Sequence, residues 1–82
     1  MKIYLVTSEW QVAGIHEWDN SAFEKREDAE KFVEGDKNDV LLDIENGEYS
    51  NSMEDYTITK DSITSFDNEE WFQWSIEELE VL

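Results

Sequence analysis

The fold of this chain depends on how residues 71–82, WFQWSIEELEVL, are arranged. If they form a strand, alternate apolar side chains point to one side of it. The alternation changes phase at Glu77–Glu78, where Leu79 and Val81 continue it, and this change indicates a β-bulge. The residues that alternate before the change are Phe72, Trp74 and Ile76.

A helix is the alternative arrangement of the same segment. Asp67 and Glu70 have the spacing of a capping box, and Phe72, Ile76 and Leu79 would share one helical face. However, three aromatic and two β-branched residues within this segment are more typical of a strand. We therefore favour the strand and keep the helix as the alternative.

Two strands are predicted at the start of the chain. In Lys2–Thr7 (KIYLVT), apolar side chains alternate on both sides, which is typical of a central strand. We predict a turn at Ser8–Glu9 and a second, antiparallel strand over residues 10–18, where Gly14 indicates a bulge or a close backbone approach. A further turn is predicted at residues 19–21, Asp-Asn-Ser.

The most clearly patterned element is a helix. In residues 24–35, EKREDAEKFVEG, apolar side chains recur at helical spacing, and Gly35 supplies a left-handed stop. We therefore predict a helix over Arg26–Glu34, with Phe23 joining its buried face from the preceding segment. The helical residues expected to contact the sheet are Ala29, Phe32 and Val33.

Further strands are predicted in the middle of the chain. Asp39–Glu45 (DVLLDIE) predicts a third strand, and Asn46–Gly47 is a dipeptide that favours a type I′ hairpin turn. Residues 50–55 are predicted to form an exposed loop and Tyr56–Thr59 a further strand. Together these elements predict one small domain over residues 1–82, of the α+β class. It has a mainly antiparallel sheet of four or five strands and one helix packed on one face.

Three blocks of the sequence resemble a recurrent pattern in small uncharacterised phage and prophage proteins. They are KIYLVT at residues 2–7, AFEKREDAEKFVE at residues 22–34 and SIEELEVL at residues 75–82, about a third of the chain. The resemblance implies a fold of ββαβ type and no particular activity. Small acidic phage proteins without cysteine commonly antagonise bacterial defence systems that target nucleic acids. By class analogy, the resemblance therefore implies an anti-CRISPR or anti-restriction inhibitor that mimics DNA.

Charge is the strongest compositional signal. The chain has 22 acidic and 6 basic residues and a formal net charge of -16, yet 39% of its residues are hydrophobic and 13% are aromatic. Disordered acidic tails lack such aromatic content, so the chain is expected to fold while carrying like-charge repulsion. From Asp39 onward the only cation is Lys60, so the second half is the more negative.

The compartment is inferred from what the sequence lacks. The chain has no cysteine, which excludes disulfides and thiolate metal sites and fits a reducing cytoplasm. Its first apolar run is too short for a signal-peptide core or a membrane span. We therefore expect a cytoplasmic protein, in the host cell if the chain is encoded by a phage.

Catalytic and metal-binding patterns are weak. His16 is the only histidine and has no second histidine or cysteine to complete a zinc site. A calcium loop of EF-hand type starting at Asp43 needs glycine where Glu48 stands, although Glu54 fits the twelfth position. There is no glycine-rich phosphate loop and no basic patch. We therefore predict no enzyme activity, no cofactor, no dedicated metal site and no direct binding of nucleic acid.

The carboxylates themselves are the candidate binding groups. Residues two apart on a strand project to the same face, about 6.5–7 Å from each other. Asp43 with Glu45, and Glu78 with Glu80, are thus predicted to form rows of negative charge that imitate a phosphate backbone. A tryptophan beside them would add an interface anchor. The predicted partner-binding residues are Asp43, Glu45, Glu69, Glu70, Trp71, Glu77, Glu78 and Glu80.

Several classes of function are compatible with this sequence. The leading hypothesis is an inhibitor that occupies the basic nucleic-acid-binding surface of a host defence protein, such as a Cas effector or another nuclease. The second is an immunity or antitoxin protein that masks a basic nuclease. A third is an acidic phage protein of structural role whose charge serves only solubility. An enzyme is the last alternative, and the oligomeric state is open.

Overall fold

The computed structural model describes all residues, 1–82, and contains five strands, one α-helix and one 3-10 turn. They are β1 (Lys2–Val12), β2 (Ile15–Phe23), α1 (Arg26–Glu45), the 3-10 turn (Met53–Asp55), β3 (Tyr56–Ile58), β4 (Ser62–Ser65) and β5 (Trp71–Glu80). The strands form one antiparallel sheet in the order β2-β1-β5-β4-β3, and α1 packs against one face of it. The predicted α+β class, with one helix on a mainly antiparallel sheet, is confirmed.

Strand β5 lies at the centre of the sheet, between β1 and β4. Its antiparallel register with β1 runs without interruption over ten residue pairs. The predicted strand is therefore confirmed, and the helical alternative is wrong. The predicted bulge at Glu77–Glu78 is also wrong, because the ladder between β1 and β5 is unbroken there and leaves Leu79 on the face opposite to Ile76.

Strand β1 is longer than predicted, and strand β2 begins and ends five residues later than predicted, so that a two-residue hairpin joins the two strands. The residues between the last ladder pair are Ala13 and Gly14, with φ of 54° and 78°. Positive φ at both central residues defines a type I′ turn, whose twist matches that of the strands. Gly14 thus lies in the turn rather than in a bulge. The predicted turns at Ser8–Glu9 and at residues 19–21 are wrong, because both segments lie within the ladder.

Helix α1 is more than twice as long as predicted. It continues through Gly35, so the predicted stop there and the predicted strand at Asp39–Glu45 are both wrong. An inward-facing stripe runs along the whole helix, and its packing on the sheet overrides the strand propensity of the second half. The residues of this stripe, spaced by three or four, are Ala29, Val33, Asp36, Val40 and Ile44.

A Schellman motif ends α1 at Asn46–Gly47. Gly47 has a left-handed conformation with φ of 79°, and its N–H donates to the carbonyl of Ile44 at 3.1 Å. The N–H of Glu48 donates to the carbonyl of Asp43 at 2.9 Å, which completes the motif. The predicted hairpin turn at Asn46–Gly47 is therefore wrong, and its glycine provides a helix end instead.

The core lies between α1 and the sheet. The expected contacts of Ala29 and Val33 are confirmed, since both side chains are buried. Phe32 lies off the inward stripe and is 38% exposed, and its ring contacts that of Phe23 at the sheet edge, 5.3 Å away. The buried hydrophobic residues are Val6, Ala29, Val33, Ile44, Tyr56, Ile63, Phe72 and Trp74.

The segment between α1 and β5 covers the end of the core. The predicted strand at Tyr56–Thr59 is confirmed as β3, and β4 is an additional strand that the sequence analysis did not identify. The predicted exposed loop at residues 50–55 is corrected in part, because Met53 in the 3-10 turn packs against the core. No helix combines the length and the apolar character needed to cross a membrane.

Candidate protein-binding surfaces

One face of the sheet is covered by α1, and the other, which we call the open face, has no element packed on it. None of the eleven buried residues lies on the open face. Of the seventeen strand residues that the register assigns to this face, only Glu9 and Glu77 are acidic and none is Lys or Arg, whereas 34% of the whole chain is charged. The seventeen are Ile3, Leu5, Thr7, Glu9, Gln11, His16, Trp18, Asn20, Ala22, Thr57, Ser62, Thr64, Trp71, Gln73, Ser75, Glu77 and Leu79.

An aromatic cluster occupies one end of the open face. The ring of His16 lies between those of Trp18 and Trp71, with centroid distances of 6.3 Å and 5.3 Å. Its Nε2 is 2.5 Å from Oε2 of Glu9, so this carboxylate already has a hydrogen-bond partner. Trp18 is 65% exposed. Exposed tryptophan in a patch depleted of charge is typical of protein interfaces.

The opposite, helix-bearing side carries a different pattern, beginning on one flank of α1. Asp28, Phe32, Asp39 and Asp43 are spaced by four or seven residues and therefore share one stripe of the helix. Because Phe32 contacts Phe23 of β2, this stripe faces the edge of the sheet formed by β2. Three carboxylates thus follow the flank of α1 over about 22 Å, given a rise of about 1.5 Å per residue.

Strand β2 adds two carboxylates to the same flank. Asp19 is opposite Ser8 in the ladder, and Ser8 donates a hydrogen bond to Asp36 of α1 at 3.4 Å, so Asp19 lies beside the helix. Glu17 precedes it by two residues and projects to the same face. None of these five flank carboxylates has a cation within 4 Å. We call this set the acidic strip: Glu17, Asp19, Asp28, Asp39 and Asp43.

Asp43, at one end of the acidic strip, lies close enough to Tyr49 to affect the pKa of its hydroxyl. Burial and, next in size, the negative charge of Asp43 raise the pKa of the Tyr49 hydroxyl above its usual value. Glu70 and Glu48 act in the same direction. A phenol resists ionisation where carboxylates already surround it. The raised pKa of Tyr49 therefore reflects burial first and the neighbouring carboxylates second.

Three of the six basic residues lie on the other flank of α1. Arg26, Lys37 and Lys60 line a cavity of about 490 Å³ between α1 and the sheet, on the side of β4 and β5. Lys37 donates hydrogen bonds to the carbonyls of Thr59 and Lys60 and so ties α1 to the β3–β4 loop. Arg26 is paired with Glu30 at 3.2 Å, and none of these three cations lies within 4 Å of a carboxylate of the acidic strip. The carboxylates lining the same cavity are Glu30, Glu34 and Asp61.

The structure divides the eight residues predicted to bind a partner among several places. Asp43 and Glu45 do not form a row, because α1 replaces the predicted strand and residues two apart on a helix point about 200° apart. Asp43 is half-buried in the acidic strip, whereas Glu45 is exposed on the outer surface of α1. Glu69 is exposed in the β4–β5 connection, where its carbonyl accepts a hydrogen bond from Gln11 at 3.2 Å.

The glutamates of β5 lie on both faces of the sheet. Glu78 and Glu80 project to the helix-bearing side, two residues apart, as strand geometry predicts. Each has a positive neighbour: Lys2 is 3.6 Å from Glu78, and the N-terminal amino group is 3.5 Å from Glu80. Glu77 and Trp71 lie on the open face instead. The two groups therefore cannot contact one flat partner surface together.

Glu70 is not on a surface at all. It is 6% exposed, and its Oε1 accepts hydrogen bonds from the Tyr56 hydroxyl at 2.8 Å and from the Asn51 amide at 2.7 Å. Burial first, and then the hydrogen bond to Glu70, raise the pKa of Tyr56 far above its usual value. Glu70 therefore acts as an acceptor inside the fold, and we leave it out of any binding surface.

Sequence reasoning missed four members of the acidic strip and one exposed aromatic residue. Once residues 26–45 are treated as a single helix, the spacing of Asp28, Asp39 and Asp43 identifies the flank. The place of β2 beside it depends on the long β1–β2 hairpin, which the predicted turns had divided. The missed residues are Glu17, Asp19, Asp28, Asp39 and Trp18.

The molecule as a whole is elongated and measures 45 × 21 × 17 Å. A net charge of -16 along 45 Å corresponds to about one charge per 2.8 Å. Duplex DNA carries about one charge per 1.7 Å of its axis, so the two linear charge densities differ by less than about twofold.

No group of three or more His, Asp or Glu side chains is arranged to hold a metal ion. Comparison with protein-family models finds no match, and neither do comparisons with curated proteins and with solved structures.

Proposed function

We propose that this chain is an acidic inhibitor that binds another protein on its basic, nucleic-acid-binding surface and thereby excludes the nucleic acid. The observation that carries the proposal is the acidic strip, which presents carboxylates from α1 and β2 without an adjacent cation. A surface that binds DNA displays clustered Lys and Arg side chains, which this strip complements. The linear charge density of the molecule supports the same proposal.

Electrostatics determines how such an inhibitor would act. Negative charge concentrated on one flank steers the encounter with a basic surface and raises the association rate at low salt. The carboxylates replace phosphates, so the inhibitor and the nucleic acid compete for the same cations. Binding is therefore strongly salt-dependent, and it is mutually exclusive with nucleic acid.

The class of partner follows from the resemblance to small phage proteins. We place the inhibitor in the host cytoplasm, acting on a nuclease of a defence system, such as a Cas effector or a restriction enzyme. Such enzymes hold their nucleic acid in positively charged channels. An immunity protein for a basic nuclease would use the same acidic strip, and the identity of the captured protein separates the two.

Displacement from immobilised DNA tests the proposal and identifies the partner in the same experiment. Proteins of a bacterial lysate are loaded on DNA-cellulose at low salt, and the purified chain is then passed over the column. We expect it to elute a small set of nucleic-acid-binding proteins in complex with itself. Mass spectrometry identifies them, and each is retested as a purified protein against labelled DNA or RNA.

Polyglutamate of equal total charge is the control for a purely ionic effect. We expect the folded chain to elute its targets at a much lower concentration than polyglutamate does. Equal elution by the two polyanions would contradict the proposal. So would a ternary complex in which the target keeps its full affinity for nucleic acid.

A further inference from the structure

The open face forms a second surface, distinct from the acidic strip, and the proposed function does not use it. It carries two of the 22 acidic residues of the chain and none of the 6 basic ones. A basic partner is attracted to the helix-bearing side and has little to pair with here. What remains on the open face is apolar, aromatic or neutral and polar, with its largest exposed side chain at Trp18.

We propose that the open face is a dimerisation surface and that its occupant is the open face of a second copy of this chain. Two copies would stack sheet on sheet about a two-fold axis, an arrangement in which each patch contacts its equivalent. Trp18 and Trp71 are the anchors, because both project from this face. The dimer exposes one acidic strip on each copy, facing outward.

The distribution of charge favours this face over the helix-bearing side for self-association. The helix-bearing side would bring carboxylates of two copies together, since it carries the eight acidic residues of α1 and four on the strands. Stacked sheets are about 10 Å apart, and the helices lie outside them. The charges of the two α1 helices are therefore separated by more than the Debye length of about 8 Å at about 0.15 M salt.

The two carboxylates on the open face do not prevent stacking. Glu9 is hydrogen-bonded to His16, which reduces the cost of removing it from water. Glu77 is exposed and lies near the end of β5 opposite Leu5, away from the aromatic cluster. It can therefore remain solvated at the rim of the interface.

The available area is sufficient for a specific dimer. Strand β1 has 11 residues, so it spans about 35 Å, and the three long strands β2, β1 and β5 together are about 14 Å wide. Multiplying this length by this width gives an area of about 500 Å² for each copy. A pair would thus bury about 1,000 Å² in total, which reaches the lower bound for biological interfaces. We therefore expect a reversible dimer rather than an obligate one.

Sedimentation equilibrium over a range of micromolar concentrations measures this directly. We expect the mass to rise from 9.7 kDa towards twice that value as concentration increases. Added sodium chloride should strengthen the dimer, because it screens the repulsion between two chains of charge -16. This salt dependence has the opposite sign to that of binding to a basic partner, so the two proposals can fail independently.

A pair of charge-matched variants locates the interface. Trp18→Glu places a charge on the open face, whereas Leu42→Glu changes a 54% exposed apolar residue on α1, which packs on the other face of the sheet. We expect Trp18→Glu to raise the dissociation constant at least about thirtyfold and Leu42→Glu to leave it unchanged. Both side chains are exposed in the single chain, so circular dichroism should show a folded protein in each case. A monomer at all concentrations and salts, or a dimer that Trp18→Glu does not weaken, would overturn the proposal.

Discussion

At the scale of single residues, Glu70 is the most demanding group to bury, because it is 6% exposed and no cation lies within 4 Å of it. Hydrogen bonds from Tyr56 and Asn51 stabilise its carboxylate instead. Hydrogen bonds to a charged acceptor are stronger than those between neutral groups. This small network holds the 3-10 turn and β3 against the start of β5.

Tyr56→Phe tests the network by removing one of the two donors. We expect the free energy of unfolding in urea to fall by about 1.5–3 kcal/mol, because a buried charge loses a hydrogen bond. Tyr49→Phe is the matched control: Tyr49 is half-buried, and no carboxylate accepts a hydrogen bond from its hydroxyl. Its effect should be less than about 0.5 kcal/mol. Equal effects of the two substitutions would contradict this role for Glu70.

Asp67 provides a prediction of how the stability of the fold depends on pH. A hydrogen bond from the Ser65 hydroxyl at 2.6 Å, and then one from the backbone N–H of Glu69 at 3.1 Å, lower the pKa of Asp67 from its usual 3.8. Since the folded-state pKa is the lower one, this contribution to stability is present above pH 3.8 and is lost as the pH falls through the folded-state value. A carboxyl-carbon NMR titration should place the Asp67 midpoint below 3.8. In Ser65→Ala it should move upward, and a wild-type midpoint at or above 3.8 would refute the assignment.

At the scale of elements, a substitution at Gly35 distinguishes a long helix α1 from a short one. If α1 is continuous, Gly35→Ala should stabilise the fold by about 0.5–1 kcal/mol, since alanine loses less backbone entropy and a Cβ here meets nothing within 4 Å. If the helix ended at Gly35 in a left-handed conformation, the same substitution would destabilise it. The sign of the change in urea unfolding therefore decides between the two. Gly47→Ala, at φ of 79°, should destabilise and serves as the control.

Local patterning predicts correctly those elements in which the spacing of apolar residues fits only one type of secondary structure. The start of α1 and the inward side chains of β5 follow directly from spacing. The second half of α1 does not, because Val40–Ile44 has strand propensity and becomes helical only through packing on the sheet. The hairpin was missed because Ala13 carries a positive φ without a glycine or asparagine signal.

At the scale of the whole molecule, the division between an acidic side and a neutral face could not be derived from the sequence. Composition predicts a polyanion, but the location of each charge depends on strand register and helix length. A helix in place of the predicted strand at Asp39–Glu45 moved Asp43 and Glu45 apart, and the unbroken ladder put Glu77 and Glu78 on opposite faces. When the type of one element is predicted wrongly, the positions of several charges are therefore predicted wrongly as well.

Salt should stabilise the folded chain, because a net charge of -16 makes long-range repulsion a cost of folding. Most of the gain should occur between about 0.01 M and about 0.15 M sodium chloride, where the Debye length falls from about 30 Å to about 8 Å. Thermal melts measure it, and each gain of about 1 kcal/mol raises the midpoint by about 4–8 °C for a domain of this size. Potassium chloride should give the same curve. A midpoint that is flat or falls over this range would contradict the repulsion.

The most direct test of the acidic strip compares two triple variants of equal net charge in the DNA-displacement assay. One removes charge from the acidic strip, by Glu17→Gln, Asp28→Asn and Asp39→Asn, and the other removes it elsewhere, by Glu54→Gln, Glu69→Gln and Glu77→Gln. All six side chains are exposed, so both proteins should remain folded. We predict that the strip variant needs at least about tenfold more protein to release a purified target from DNA, and that the other variant behaves nearly as the wild type does. Equal loss in the two variants would mean that total charge is responsible, and would contradict a specific role for the acidic strip.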